Sequence, residues 1–599
     1  MKKLTLLSVT AGLLLLLNGC GGGGCDGDDC NGNGGGSPHS VINDGVIVPV
    51  VGNDKRRFIC IDKMKIDDKE YAASCNKLIT VDGKPNSHQV IYGQLKDFQD
   101  MPIYHPDGRA YICNQEKDVV GNGVNFSSVI KQNDKLYFIS EFDCAIGAIY
   151  IADVEKLSTG ELIVKRDTMK FISQKDEFGG YRHQNGSVTP WESYLGSEGY
   201  APDARIIEEK EYSLQRGEEP VFDPYYEETA LFWGGDLSKS NPYFYGWANE
   251  IIVDANEVPH FRKHYSMGRF SHHTQIVMPD RRTVYLSDNE EKGAIFMFVA
   301  DKKDDLSVGT LYAPKEKITK EGNLTAVEFD WINLGHISNR TMKLNISEKL
   351  KFSDILEITP PNSDLECPFD FKPVIGSSAI ECVRDKLKVN KSVLSRLETV
   401  RYAQMQGADL NFIRPRGLTY DGDRNRIYIA AEGYVSPVFH SNPCGFVFAG
   451  NLTGSKIDTS GEVINSNFIL NKIYPILEGK KEEYPVTSEY AGNECSVNYI
   501  ADPESLSYLQ GKNILTIAEG GNKHINQMVW NYDLNENKLT RIMSHPINAH
   551  PVAINWRRDL KGYDYLIYGV QHPLMNDEEA TEEEKHSYIG YWGPIKVIP

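Results

Sequence analysis

Several catalytic signatures are missing from these 599 residues. There is no Gly-x-Ser-x-Gly elbow, no Walker-type phosphate loop and no His-Glu-x-x-His helix, so three common routes to hydrolysis are not on offer. None of the 11 cysteines falls in the closely doubled spacing of a structural zinc site. Positive charge is scarce. The chain has 64 Lys and Arg against 83 Asp and Glu, a formal net charge of −19. That balance argues against a nucleic-acid surface and suits an exported chain that collects divalent cations. Long apolar runs are also lacking, with one exception at the start, so no second membrane span is expected.

The exception is Leu4 to Leu17, preceded by the basic Met1-Lys2-Lys3. It is too short to span a membrane comfortably and reads as a signal segment. It ends in Leu17-Asn18-Gly19-Cys20, which resembles the bacterial lipobox. The implication is cleavage before Cys20 and lipidation of its thiol, leaving a chain anchored to the membrane without spanning it. Gly21 directly after Cys20 favours the outer membrane, by resemblance to the bacterial sorting rule. Residues 1–19 are thus expected to be the signal peptide, and 20–38 the lipidated Cys with a glycine-rich tether. Residues 39–599 form the main domain. Ten cysteines follow Cys20, an even number that suggests disulfides in an exported chain. Neighbours pair naturally as Cys60–Cys75, Cys113–Cys144, Cys367–Cys382 and Cys444–Cys495, with the connectivity left open.

Four segments share one shape: Leu136 to Glu141, Val284 to Asp288, Ile427 to Glu432 and Ile514 to Glu519. Each is a β-branched and aromatic run ending on an acid, followed by a polar or Gly-bearing turn and another strand. Recurrent strand pairs of this kind point to an all-β fold, a β-propeller of about six blades with inserted loops. Ile346 to Gln406 reads as a partly helical insertion. Acids at the ends of innermost strands would form an axial ring that stays ionised only with bound cations, and this predicts a Ca²⁺-type site. The competing reading has each acid capping a strand at the solvent edge.

One stretch concentrates polar groups within about a blade's length. Tyr245 to Glu290 carries Glu250, then Gly268-Arg269-Phe270-Ser271-His272-His273, then Asp288, all bracketed by apolar strand residues. Binding and catalytic groups are commonly held by a β scaffold in this way.

These residues resemble the PhoX-type alkaline phosphatases, exported β-propeller phosphomonoesterases that use calcium with iron. The matching stretches run in order from about Val120 to Met575. They are Gly186 to Glu198 around Thr189-Pro190-Trp191, Tyr245-Gly246-Trp247 to Glu250, and Gly268 to His272. Later come Arg414-Pro415-Arg416-Gly417, Ala518-Glu519-Gly520-Gly521 and Gln571-His572-Pro573. The departures fall on expected metal ligands. Gln184 stands where the family has a Cys, Gly199 where it has a second Glu, and His273 and Arg416 where it has further Glu residues. An Arg has no lone pair to offer a metal, so the resemblance implies calcium while making family-type iron doubtful. Lys2-Lys3 in place of the family's twin-Arg export signal points the same way.

The resemblance therefore implies a calcium-dependent phosphoric-ester hydrolase acting on a small phosphorylated substrate outside the cytoplasm, and a monomer is expected. Arg269, Arg414 and Arg416 would clamp phosphate oxygens, and His272 and His273 would protonate the leaving group or bind a metal. Glu198, Glu250, Asp288, Glu432 and Glu519 would hold the cations. Two alternatives stay open. One is a catalytically silent propeller lipoprotein that binds a ligand or partner at the cell surface, its lost metals replaced by Arg–carboxylate pairs. The other is a calcium-dependent propeller lactonase or esterase.

Overall fold

The computed structural model describes residues 121–597, apart from short interruptions of which 217–222 and 436–441 are the longest, and the backbone of short strands between Phe58 and Ile112. The signal segment, Cys20 and the glycine-rich tether lie outside the described residues. Among the described residues no helix is long and apolar enough to cross a membrane.

The apolar runs seen in the sequence are strands buried on both faces. In Arg426–Tyr434, for example, Ile427 to Ala431 are each at most 1% exposed. Burial of each Val, Leu or Ile contributes about 1.5–3 kcal/mol, which explains why these strands are continuously apolar rather than alternating. They assemble into all-β antiparallel sheets that follow chain order.

The first sheet runs from Gly121–Gln132 through Lys135–Cys144 and Ala148–Lys156 to Leu162–Val164. A second comprises Ser187–Val188, Tyr194–Ser197, Ala248–Val253 and Pro259–Lys263. Meanders then begin at His272–Val277, Phe412–Asp421, Pro503–Leu509 and His550–Arg557. The meanders that start at His272 and Phe412 are fused, because Leu324–Ser338 pairs with both Asp305–Glu321 and Ile469–Glu478. The backbone of Tyr92–Lys96 completes the last sheet against Tyr588–Lys596, so early and late parts of the chain share a sheet.

The leading strands of these sheets, with Tyr194–Ser197 taking that place in the second, pack against one another in succession. Gly121–Gln132 lies against Tyr194–Ser197, followed in turn by His272–Val277, Phe412–Asp421, Pro503–Leu509 and His550–Arg557, which returns to Gly121–Gln132. A polar cross-link stitches each junction. Tyr194 Oη donates to Phe126 O (2.6 Å), Ser197 Oγ to His273 O (2.8 Å) and Ser287 Oγ to Arg416 O (2.7 Å). Tyr508 N donates to Thr419 Oγ1 (3.0 Å), Trp556 N to Ser507 Oγ (2.8 Å) and Asn555 Nδ2 to Ser127 O (3.0 Å). Small hydroxyl residues suit this place, since a side chain there must satisfy a buried backbone group of the next sheet.

The inserted region is partly helical, as expected, with Asn339–Ser347, Phe352–Ile355, Lys391–Leu397 and Thr399–Met405. It also holds a three-stranded sheet of Leu356–Thr359, Ile380–Asp385 and Lys372–Ile375, which the sequence reading did not anticipate. Cys367–Cys382 and Cys444–Cys495 are disulfides. Cys144 is disulfide-bonded too, and Cys60 and Cys75 face each other in backbone register.

One expectation needs correcting. The runs that end on acids are the second strands of their sheets, in Lys135–Cys144, Thr283–Asp288, Arg426–Tyr434 and Ile514–Glu519. The ring is lined instead by the leading strands, whose bulges, prolines and charged residues make them look less strand-like in sequence.

Candidate functional site

The leading strands carry β-bulges, and three successive bulges deliver side chains to one place. Register slips between His272 and Gln275, between Pro415 and Leu418, and between Pro503 and Ser505. A bulge leaves a residue out of the ladder and re-aims it, and here the freed residues are His273, Arg416 and Glu504. Two of these segments repeat a local pattern, Arg414-Pro415-Arg416 and Asp502-Pro503-Glu504. In both, Pro sits beside the slip, where the ladder does not need its missing N–H. Arg414 and Asp502, just before each Pro, take positive φ angles of 45° and 40°.

Arg416 is the hub. Its Nη1 lies 3.0 Å from Glu504 Oε2, Nη2 2.9 Å from Glu432 Oε1, and Nε donates to Asn289 Oδ1 at 3.0 Å. His273 Nε2 lies 3.6 Å from Glu504 Oε1. Burial would push Glu504 upward, but the Arg416 guanidinium and His273 outweigh it and hold the carboxyl at about 2. Asp502, two residues before it, goes the other way. Burial and the nearby Glu432 carboxylate push it up to about 7, against the pull of Arg416 and Lys523. Arg414 is the loosest cation here. Its side chain is 39% exposed, with contacts of 3.2 Å to Glu432 and 3.4 Å to Glu291.

Gly520 and Gly521 form a close backing to the two acids. A Cβ at Gly520 would overlap the Glu504 carboxylate and its Cβ, and one at Gly521 would overlap the Asp502 carboxylate and its Cβ. Because the Cβ atoms of both neighbours are involved, a side-chain rotation alone cannot relieve the clash. Gly520→Ala is therefore expected to cost about 1–3 kcal/mol. An unchanged melting temperature would refute that close packing.

The residues singled out from the sequence divide into two groups. His273, Arg414, Arg416 and Glu432 come together at this site. The others have separate surroundings. Arg269 donates through Nε to Tyr245 O (2.7 Å) and through Nη2 to the carbonyls of Pro202 and Pro242, so its guanidinium fastens backbone rather than facing the cluster. His272 is fully buried, stacked on Phe270 at 3.7 Å, with Nε2 2.9 Å from Gly268 O, and burial lowers it to about 3. It is neutral at ordinary pH.

Three of the five acids proposed as metal ligands are saturated by protein donors. Glu198 accepts from Gly246 N (2.9 Å) and Trp247 N (3.2 Å) and pairs with buried Lys263 at 2.7 Å. Glu250 accepts from Trp191 Nε1 (2.9 Å) and Ser193 Oγ and lies 2.9 Å from His264 Nε2. This ties Thr189-Pro190-Trp191 to the second sheet. Glu519 accepts from Ala501 N (3.0 Å), Met528 N (2.9 Å) and Trp530 Nε1 (2.7 Å), with His524 Nδ1 at 2.9 Å. Asp288 differs, being fully buried with no hydrogen-bond partner on either oxygen, so burial and Glu290 push it well above the usual carboxylate range.

Calcium asks for six to eight oxygen ligands. Among the described residues no three His, Cys, Asp or Glu side chains are placed to share a metal ion. The donor set therefore does not fit a polynuclear cluster. Asp288, with Glu290 close by, and Glu141, as fully buried and with neither oxygen hydrogen-bonded, are places whose chemistry fits an oxygen-seeking cation, because a buried carboxylate without a donor is costly.

Glu504, Asp502 and Asn289 were not expected at the site from the sequence. The signal that would have found the first two is the repeated Pro-flanked segment, since Asp502-Pro503-Glu504 occupies in its sheet the place that Arg414-Pro415-Arg416 occupies in the sheet before.

These features define an all-β protein whose leading strands gather a polar, arginine-centred site at their bulges. Residues 165–362 match the family model described as alkaline phosphatase PhoX. By structure the chain is similar to Pseudomonas fluorescens PhoX in complex with vanadate, a transition state analogue. The TM-score is 0.52 at 15% identity, covering 84% of this chain and 94% of that one; at such identity the likeness concerns the fold. Fainter likenesses carry no argument. They include Saccharomyces cerevisiae Sqt1 (TM-score 0.26, 8% identity, 79% and 97% covered) and the polysaccharide lyase Uly1 (0.28, 8%, 85% and 98%). No curated protein matches the chain by sequence. The family match thus covers residues 165–362, and the shared fold extends over 84% of the chain.

Proposed function

We propose that the chain is an extracytoplasmic phosphoric-ester hydrolase of PhoX type. It would be a six-bladed propeller and a monomer, anchored through a lipid on Cys20 in the outer membrane. The observation that carries the reading is the convergence of His273, Arg416 and Glu504 from three successive bulges, within a fold like that of a vanadate-binding PhoX. Six meanders whose leading strands pack in a closed succession support the blade count.

Phosphoryl transfer needs charge neutralisation on the transferring group and a proton for the leaving oxygen. Arg414, half-free and next to the anchored Arg416, is the guanidinium that turns toward a phosphate. Glu504, held ionised, and Thr274 Oγ1 orient the imidazole of His273 from its two sides, at 3.6 Å from Nε2 and 3.1 Å from Nδ1; exchanging one of these contacts, His273 would pass a proton from an attacking water to the leaving oxygen. Calcium is the cation called for, at Asp288 with Glu290, where it would neutralise charge. Arg414→Ala is expected to raise KM for an aryl phosphate about tenfold, the loss of one charge-assisted contact. Asp288→Asn is expected to abolish any rise in melting temperature on adding calcium. Cys20→Ala is expected to move the protein from the membrane to the soluble fraction; persistence in the membrane would refute the lipid anchor.

A second reading has its own support. All three guanidinium nitrogens of Arg416 are already engaged, and Lys263 neutralises Glu198, as expected where arginine and lysine have taken over from metals in a silent binding protein. Assaying the purified chain against phosphate monoesters and diesters in excess calcium separates the two. Turnover whose KM rises in Arg414→Ala upholds the hydrolase, and no turnover on any ester upholds the silent binder.

A further inference from the structure

Tyr200 stands at the edge of the arginine-centred site and has features that neither fold nor phosphate chemistry requires. It is 40% exposed, although the residues just before it, Ser193 to Gly199, are all buried. It adopts a left-handed φ of 49°, an unfavourable conformation for an aromatic residue that persists only where the surroundings enforce it. One ring face is covered by the Arg182 guanidinium, 4.1 Å from the centroid. Arg182 is itself immobilised: Tyr225 covers its other side at 3.9 Å, and Asp143 grips it with two contacts of 2.9 and 3.2 Å.

A short hydrogen-bond chain connects the Tyr200 backbone to Arg416. Tyr200 N donates to Ser271 Oγ (2.9 Å), Asn289 N donates to Ser271 O (2.7 Å), and Arg416 Nε donates to Asn289 Oδ1 (3.0 Å). Although the residue is 40% exposed, crowding around its hydroxyl raises it, and Arg416 and Arg182 oppose that rise without cancelling it. A partly exposed aromatic ring, covered by Arg182, is therefore held in the neighbourhood of the anion site.

We propose that Tyr200 is a stacking platform and that the ester this protein takes carries a planar aromatic group, such as an aryl or nucleobase ring, laid on the exposed part of Tyr200. The proposal rests on the phosphoric-ester reading of the site. The phosphate lies toward Arg414 and Arg416, and the ring of the leaving group covers Tyr200. Stacking on an aromatic side chain tolerates many ring types, so the platform selects a class of leaving group rather than one compound. Arg182, locked between two tyrosines and an aspartate, backs the ring and takes no phosphate.

The test uses two phosphonates that cannot be hydrolysed, measured by titration calorimetry on the intact domain. Phenylphosphonate is expected to bind about tenfold tighter than methylphosphonate. Tyr200→Ala should erase that preference and leave methylphosphonate affinity unchanged, which shows that the variant is folded; Tyr200→Phe should keep the preference. Tyr200→Leu, which retains bulk without a π face, serves if the alanine variant does not fold, and should also lose the preference. Equal affinities in the wild type, or a preference that survives in Tyr200→Leu and Tyr200→Ala, overturn the platform while the anion site stands. No binding of either phosphonate overturns the phosphoric-ester reading and the platform with it.

Discussion

Arg416→Met is expected to destabilise the domain by about 3–5 kcal/mol at neutral pH, because it removes one partner from a buried charge network. Methionine retains the apolar stem, so the loss is of charge rather than of packing. Glu504 and Glu432 would lose the cation between them, leaving only the looser Arg414 at 3.2 Å from Glu432, and Asn289 would lose its donor. The pH dependence identifies the cause. Glu504 is held at about 2 by Arg416 and His273, below its ordinary value near 4.5. A carboxyl lowered by folding contributes stability that is present above its unfolded pKa and lost as pH falls through its folded one. That contribution is about 3 kcal/mol, from a lowering of two to three units. It should be complete above about pH 5 and vanish toward pH 2. In Arg416→Met the contribution is gone, so the gap between wild type and variant should narrow as pH falls. Urea unfolding at pH 7 and pH 3 checks this. A gap of equal size at both values would mean that Arg416 stabilises by packing and that its pairing with Glu504 is incidental. Adding Glu504→Gln to the variant should recover part of the loss at pH 7.

The ease with which parts of this molecule were read from its sequence follows from where the determining contacts lie. The second strands were legible because both faces are buried, so Ile427 to Ala431 is a continuous apolar run and Ile514 to Ala518 is interrupted only by Thr516. The disulfides Cys367–Cys382 and Cys444–Cys495 joined chain neighbours, as expected. The leading strands were harder. Phe412–Asp421 contains Arg414, Pro415, Arg416 and Gly417, a composition that reads as a turn, and only its place beside the next leading strand makes it part of a ring. The fate of a carboxylate was harder still, since its partners come from remote segments. Glu198 is satisfied by Gly246, Trp247 and Lys263, and Glu519 by Ala501 and Trp530. Asp288 has the same strand-end pattern and no such donors. Nothing local separates the two situations. Arg269 illustrates the same limit. Its motif resembles that of a phosphatase, but three backbone carbonyls already take its guanidinium.

Asp502 should make the site sensitive to pH near neutrality. Its carboxyl, pushed up to about 7 by burial and by Glu432, reverses the sign of the Glu504 effect. For an acid raised by folding, the stabilising contribution is full below the unfolded pKa and is lost as pH rises through the folded one. Between about pH 4 and pH 7 the wild type should therefore lose stability on this account, and then level off. Asp502→Asn carries the shape of the protonated acid and cannot ionise. Asparagine also tolerates the positive φ of 40° found here better than most residues. The variant should match the wild type at pH 4 and exceed it at pH 8 by about 2–4 kcal/mol, from a rise of about three units at a largely buried position. The same ionisation places a negative charge beside Arg416 and Lys523 as pH rises through 7. Anion affinity should accordingly fall between pH 6 and pH 8 in the wild type and stay level in Asp502→Asn. Phosphate or phosphonate titrations at the two pH values read this directly, alongside urea unfolding. If the variant gains no stability at pH 8, Asp502 is ionised at neutral pH without penalty, and Lys523 and Arg416 outweigh its burial. If it gains stability while anion affinity still falls with pH, the group that governs binding lies elsewhere in the cluster, and His273 becomes the residue to replace next.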